Sequence, residues 1–249
     1  MKFTSIACAA VLAAASIGAA QAAPLVTNGD FNTGTGIGLL GTKATAPGWS
    51  SDNEGTAFNF LVDQNADTTG FQSNSGTIQL YGPGTGYFNG FRDSSNGNRF
   101  FGSDADYLPA KLYQTITGLQ VNQHYTLSFE WAGAQFVRQG PSEGVANASQ
   151  WHVTVGNGGN NVLDVRTTMH DNPNGKGFGG WFDVSYDFIA QSTSATLTFL
   201  AEGKNLNGPS FALLDNVVIT TAVPEPSTYA LLLAGLGAVG FIARRRKAD

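Results

Sequence analysis

The chain is poor in the residues that most metal and redox chemistry requires. Its 249 residues include one cysteine and three histidines. A single cysteine excludes an internal disulfide framework and any zinc or iron–sulfur site built on several thiolates. His124, His152 and His170 show no His-x-x-x-His and no Cys–His spacing, so a transition-metal site is not expected. Charge is scarce as well: Asp, Glu, Lys and Arg make up 12% of the chain, against roughly 25% in an average globular domain. The formal net charge is −5. An acidic chain lacks the basic face that neutralises phosphates, which argues against a nucleic-acid partner. There is no Gly-x-Ser-x-Gly elbow and no phosphate-cradling glycine loop leading into a helix. Asp183 and Asp187 could be read as paired carboxylates, but four residues of strand put them about 13 Å apart, too far for either glycosidase mechanism. No catalytic residue is assigned, and the chain is not expected to be an enzyme.

Glycine is plentiful, at 32 residues. Asn-Gly pairs recur at 28–29, 89–90, 96–97, 174–175 and 207–208, and such pairs suit tight turns with positive φ. Between them run alternating segments: 77–81, 111–117, 124–132, 150–155, 181–189, 195–201 and 211–220. In 124–132, Tyr125, Leu127, Phe129 and Trp131 share one face, with Thr126, Ser128 and Glu130 opposite. Phe182, Val184, Tyr186 and Phe188 form a second such face. No stretch of 23–222 has a sustained helical period. Alternation of this kind predicts an all-β domain, an antiparallel sandwich in which each sheet has one wet face. The segments 82–106, 133–149 and 157–180 are predicted as long loops, where function often lies.

Both ends carry addresses. Lys2, the apolar run Ile6–Ile17 and Ala20-Gln21-Ala22 have the order of a signal peptide, so residues 1–22 are expected to be removed by signal peptidase, taking Cys8 with them. At the other end, Val223-Pro224-Glu225-Pro226-Ser227 precedes an apolar, Gly-rich stretch and then Arg244-Arg245-Arg246-Lys247. Tyr229 to Ala243 would make a single hydrophobic helix about 22 Å long, short of the ~30 Å hydrocarbon core unless its flanks stretch it. The basic cluster would stay cytoplasmic, with the domain outside. The three expected segments are therefore 1–22, 23–222 and 223–249. The middle one holds eight basic and sixteen acidic residues, a net charge of −8.

The C-terminal arrangement resembles the PEP-CTERM sorting signal. That resemblance implies a Gram-negative host that makes exopolysaccharide or biofilm, and processing near Pro224-Glu225-Pro226 by an exosortase, a membrane-embedded transpeptidase-like enzyme. Arg244, Arg245 and Arg246 would complete the sorting motif. Glu225 would be a recognition residue rather than a catalytic one.

The middle segment is similar to galactose-binding-like jelly rolls, a group that includes many carbohydrate-binding modules. The matching residues are Leu25-Val26-Thr27-Asn28-Gly29-Asp30-Phe31, Pro47-Gly48-Trp49, the run from Gln114 to Trp131, and Phe211-Ala212-Leu213-Leu214-Asp215-Asn216-Val217. The resemblance implies a jelly-roll β-sandwich with its first and last strands adjacent. A structural calcium often lies close by, and Asp30 and Asp215 are the matching candidates. Asp215 alternates in phase with Phe211, Leu213, Val217 and Ile219, so it points inward. A buried carboxylate needs a partner, and either calcium or hydrogen-bond donors could supply it.

For a ligand site, Trp181 is expected as an exposed aromatic platform beside Gly179-Gly180. Tyr87 and Phe88 could line a binding rim or plug the sandwich end. Asp104 and Asp106 could bind sugar hydroxyls or calcium, or form a solvated turn. The expected function is an exported, non-catalytic surface or matrix protein that binds glycan or associates with exopolysaccharide. The alternatives are a polysaccharide-acting enzyme on the same fold, or a purely structural or ice-binding surface protein. The ice-binding alternative needs a flat, repeated Thr-x-Thr face, and none is expected.

Overall fold

The computed structural model describes residues 24–52, 54–68, 76–137, 145–172, 175–204, 210–221 and 233–237. Within them, two antiparallel sheets pack face to face. The front sheet has the order β1 (Gly38–Leu39), β3 (Asn59–Asp63), β4 (Arg99–Asp104), β12 (Ser210–Thr221), β6 (His124–Gln135) and β10 (Phe182–Ile189). The back sheet runs β2 (Ser50–Ser51), β5 (Leu112–Thr117), β11 (Ser194–Gly203), β7 (Asn147–Asn157) and β8 (Asn160–Arg166), with β9 (His170–Asn172) pairing on β7. From β5 onward the chain passes repeatedly between the sheets. This is the jelly-roll sandwich that the alternation and the resemblance imply.

The inner faces build the main core. Leu112, Ile116, Leu127, Phe129, Trp151, Val153, Leu197, Phe199 and Leu214 are all buried between the sheets. A second core lies outside the front sheet. Phe60, Val62, Phe100, Ala134, Phe211 and Leu213 face outward there and are roofed by Ile78, Leu80 and Phe91 from the long connections. Strands β3 and β4 are therefore buried on both faces. They read as continuous apolar runs, Asn59-Phe60-Leu61-Val62 and Arg99-Phe100-Phe101, rather than as alternation. For that reason β4 falls inside the segment predicted as the loop 82–106. Strands β8 and β9 likewise occupy part of the predicted loop 157–180.

The predicted strand at 77–81 is not formed. Only Leu80 makes a bridge, to Phe136. The segment is part of the roof, and its alternation reflects Ile78 and Leu80 inserting into the second core. Its backbone is held by Leu80 N–H to Ala66 O (2.7 Å) and Tyr81 N–H to Gln135 O (3.0 Å).

The opening motif is a set of turns rather than a strand, and it docks at a bulge in β12. The register of β12 against β6 shifts between Asp215 and Val218, and Asn216 has φ of 51°. One extra residue reverses the facing of the strand. Phe211 and Leu213 lie in the outer core, whereas Val217 and Ile219 lie in the inner one. The single face expected for 211–219 is thus two faces joined at the bulge. Val217 N–H donates to Gly29 O (2.8 Å). Trp49 Nε1–H donates to Asn28 O (2.9 Å), and its ring stacks on Phe31 at 5.4 Å. Gln114 clamps the Thr27 backbone from both sides, accepting from its N–H (2.6 Å) and donating to its carbonyl (2.8 Å).

A Cβ at Gly29 would sit 1.9 Å from the Val217 carbonyl oxygen, which is backbone and cannot yield. Gly29→Ala is expected to lower stability by about 1–3 kcal/mol, the usual cost of overpacking. An unchanged urea midpoint would contradict this docking.

Candidate ligand-binding site

The front sheet ends at β10, and among the described residues no strand pairs on its other side. The cross-strand pair of Phe182 and Trp131 stands at this open side. Trp131 is buried, while Phe182 is 41% exposed, and their rings lie 5.8 Å apart at 39°. The expected core face of β10 is therefore only partly covered, because an edge strand has a neighbour on one side alone. The result is a cleft of about 240 Å³ walled by Trp131, Met169, His170, Phe182 and Tyr186, with Thr168 and Asp183 at its rim.

His170 is seated by two glycines. A Cβ at Gly179 would come within 2.5 Å of its Nε2, and one at Gly133 within 2.7 Å of its Cδ2. Its ring leans on Phe182 at 5.9 Å. Burial pushes the imidazole pKa below its usual value, with Asp171 opposing. Burial also raises the Tyr186 phenol. Among the described residues no hydroxyl or carboxylate is hydrogen-bonded to His170. The cleft offers flat apolar ring faces with a few polar groups at the mouth. Sequence reasoning missed it because Phe182 and Tyr186 share the phase of core residues, and only the sheet order shows that their strand is an edge.

Trp181 is not the free platform expected. It immediately precedes β10 and packs against the outer core, where the roof half-covers it. Its indole N–H donates to Arg92 O (3.0 Å), and its ring meets Phe100 edge-on at 5.4 Å. Tyr87 is also tied down. Its hydroxyl accepts from Lys176 Nζ (2.7 Å), and its ring packs edge-on against Tyr81. Phe88 beside it is 93% exposed. Asp104 and Asp106 belong to a different part of the front sheet. Asp104 is buried and accepts from the N–H groups of Asp106 (2.9 Å) and Tyr107 (2.8 Å), while Asp106 accepts from Ser210 Oγ. The five candidates do not converge on one site.

Asp215 is buried, as expected, but on the roofed side of the front sheet. It accepts from Ser94 Oγ, from Asn96 Nδ2 (2.8 Å) and from Asn216 N–H (2.7 Å). Asp30 is exposed, and both its oxygens accept from Asn32. Calcium takes six to eight oxygen ligands. Among the described residues no group of three or more His, Cys, Asp or Glu is placed to hold a metal ion. Asp215 is satisfied by hydrogen-bond donors.

On the outer face of the back sheet, Thr115 pairs with Thr196, and Thr198 pairs with Thr154. Two Thr-x-Thr stretches, 115–117 and 196–198, thus lie side by side, contrary to the expectation that no such array exists. The patch is interrupted by Tyr113 opposite Thr198. Farther along the strands it gives way to an ionic network in which Arg166 grips Glu202 at 2.8 and 3.0 Å.

Pro224, Glu225, Pro226, Arg244, Arg245 and Arg246 lie outside the described residues, as does the signal segment. Residues 233–237 are helical. Among the described residues no helix is long and apolar enough to cross a membrane. Residues 222–247 match the PEP-CTERM protein-sorting motif. The PEP-CTERM tail implies export, C-terminal anchoring before processing, and processing by an exosortase. No curated protein matches the chain. Several solved structures are similar to it in fold. TmCBM61, solved with β-1,4-galactotriose, is 13% identical, covers 81% of this chain and 100% of its own, and has a TM-score of 0.42. A cyclase from Fischerella sp. TAU is 16% identical over 82% of this chain and 100% of its own, at 0.49. A family 16 carbohydrate-binding module is 14% identical over 79% of this chain and 99% of its own, at 0.37.

Proposed function

We propose that this is an exported, non-catalytic surface or matrix protein, sorted through its PEP-CTERM tail, whose sandwich binds a glycan. The observation that carries the glycan reading is the cleft at the open edge, with Trp131, Phe182 and Tyr186 as its rings and His170 beside them. Sugar rings present C–H faces that pack on aromatic rings, while their hydroxyls reach polar groups at a rim. The volume suits one sugar residue rather than a drug-sized ligand, which fills roughly 300 Å³ or more. The location follows from the tail: held in the inner membrane with the domain outside, then released to the surface or matrix after cleavage. A structural calcium on Asp30 and Asp215 is no part of this reading.

Two measurements test it. Phe182→Ala in the full chain, held in detergent, is expected to weaken oligosaccharide binding about five- to tenfold, the worth of one aromatic contact; turnover of the oligosaccharide instead would replace this reading by the enzymatic one. Changing Pro224, Glu225 and Pro226 together to alanine is expected to leave unprocessed, membrane-held protein. Normal processing of that variant would refute the sorting role of the motif.

A further inference from the structure

Strands β3 and β4 place Asp63 and Arg99 directly opposite each other. Opposite charges in that relation ordinarily meet. Here they do not: among the described residues no ion pair joins Arg99 to any carboxylate. One Asp63 oxygen is turned to the Asn65 N–H (2.9 Å). Among the described residues the Arg99 Nη1 is shut off from solvent with no acceptor. A buried N–H without an acceptor carries a desolvation cost, greater for a charged group, that a bound ligand or ion commonly offsets.

The space beside these two side chains is an open polar cleft of about 350 Å³, lined by Asn32, Asp63, Gln64, Asn98 and Arg99. Asn32 is committed, since its Oδ1 accepts from Arg99 N–H (3.1 Å) and its Nδ2 donates to Asp30. The amides of Gln64 and Asn98 are exposed. The cleft therefore gathers one cationic donor fork, one carboxylate and two free amides, with no aromatic ring.

We infer that this cleft is a second glycan subsite, recognising adjacent hydroxyls of a neutral sugar. The inference rests on the glycan-binding reading and adds a site and a sugar class to it. A hydroxyl both donates and accepts. One of a neighbouring pair donates a hydrogen bond to Asp63 while the other accepts one from Arg99, and the amides bridge to whatever hydroxyls flank them. An oxygen at this position lets the guanidinium fork turn from the place where its Nη1 meets nothing. An acidic sugar would satisfy Arg99 equally well but is opposed by its surroundings. Asp63 lines the cleft, and Asp63 and Asp67 both lie near enough to Asp93 to add to the rise that burial imposes on its carboxyl. The segment 23–222 as a whole carries −8.

The test titrates the full chain in detergent with neutral galactan, glucan and mannan oligosaccharides and with oligogalacturonate. Arg99→Gln is expected to weaken neutral-sugar binding at least about tenfold. The double change Gln64→Ala with Asn98→Ala, at exposed positions that do not threaten folding, is expected to weaken it about tenfold as well. If both variants bind like the parent while Phe182→Ala binds less tightly, the second subsite is refuted and the edge cleft stands. If the parent binds none of the sugars, both fall. Tighter binding of oligogalacturonate than of every neutral sugar overturns the assignment to neutral hydroxyls. Should Arg99→Gln fail to fold, the double variant decides alone: tenfold loss supports the subsite, unchanged affinity overturns it.

Discussion

Trp151→Ala is expected to lower stability by about 3–5 kcal/mol, a large share of the roughly 5–15 kcal/mol that holds a domain folded. Trp151 is 0% exposed at the middle of the inner core. Its ring meets Phe199 edge-on at 5.9 Å and leans on Phe101 at 6.1 Å. Its Nε1–H crosses the sandwich to Leu213 O (3.0 Å), so one side chain both fills the core and ties the back sheet to the front. Its backbone N–H donates to Thr167 Oγ1 (2.9 Å), which anchors the strand connection leading to the edge cleft. Removal leaves a cavity between the sheets and breaks the hydrogen bond to Leu213 O. Trp151→Phe separates the two losses: it refills most of the volume and is expected to cost about 1–2 kcal/mol through loss of the hydrogen bond to Leu213 O. Urea unfolding followed by circular dichroism measures both, and equal midpoints for the alanine variant and the parent would refute the role given to this ring.

Stability is expected to fall as pH rises from about 4 to about 7, and the Asp215→Asn variant is expected to lose most of that slope. The carboxyl of Asp215 is pushed up to about 7, chiefly by burial. Its hydrogen bonds from Ser94 and Asn216 pull the other way, and Glu130 and Asp30 add repulsion. Glu130 stands directly across the ladder from it and holds the Ser95 N–H at 3.0 Å. A raised carboxyl means that the folded state binds the proton more tightly than the unfolded chain. The stabilisation is therefore complete below the unfolded value near 4 and is lost as pH climbs through about 7. A shift of this size corresponds to a few kcal/mol, on the order of 1.4 per pH unit across that window. Denaturation of parent and Asp215→Asn at pH 5 and pH 8 checks it. The same slope in both proteins would show that another group is responsible.

Much of the fold was legible because one face of most strands meets water. The expected segments 111–117, 124–132, 195–201 and 211–220 alternate, and the structure forms the strands β5 (Leu112–Thr117), β6, β11 and β12 there. Legibility failed where a second layer covers the front sheet. Strands β3 and β4 have no wet face, so alternation disappears. Ile78 and Leu80 alternate without belonging to a strand. The candidate site was hidden for a related reason. Trp181 looked exposed from its phase, but phase assigns a residue to one side of a sheet and cannot tell whether that side is open or roofed. Phe182, one residue on, looked buried and is the exposed ring.

The sequence by itself determined the C-terminal sorting motif, the absence of a disulfide scaffold, and the all-β character of the middle segment. Each of these depends on local order along the chain: apolar runs, prolines around Glu225, an arginine cluster, a period of two. The tertiary structure decided which strands lie at an edge, where the β12 bulge turns Asp215 toward the roof, and which polar groups are left unpaired. Those depend on strand order and on contacts between residues far apart in sequence, such as Gly29 with Val217 and Phe182 with Trp131. Arg99 illustrates the division. Its place opposite Asp63 follows from the pairing of β3 with β4, and the failure of the two to meet follows from the turn that claims Asp63.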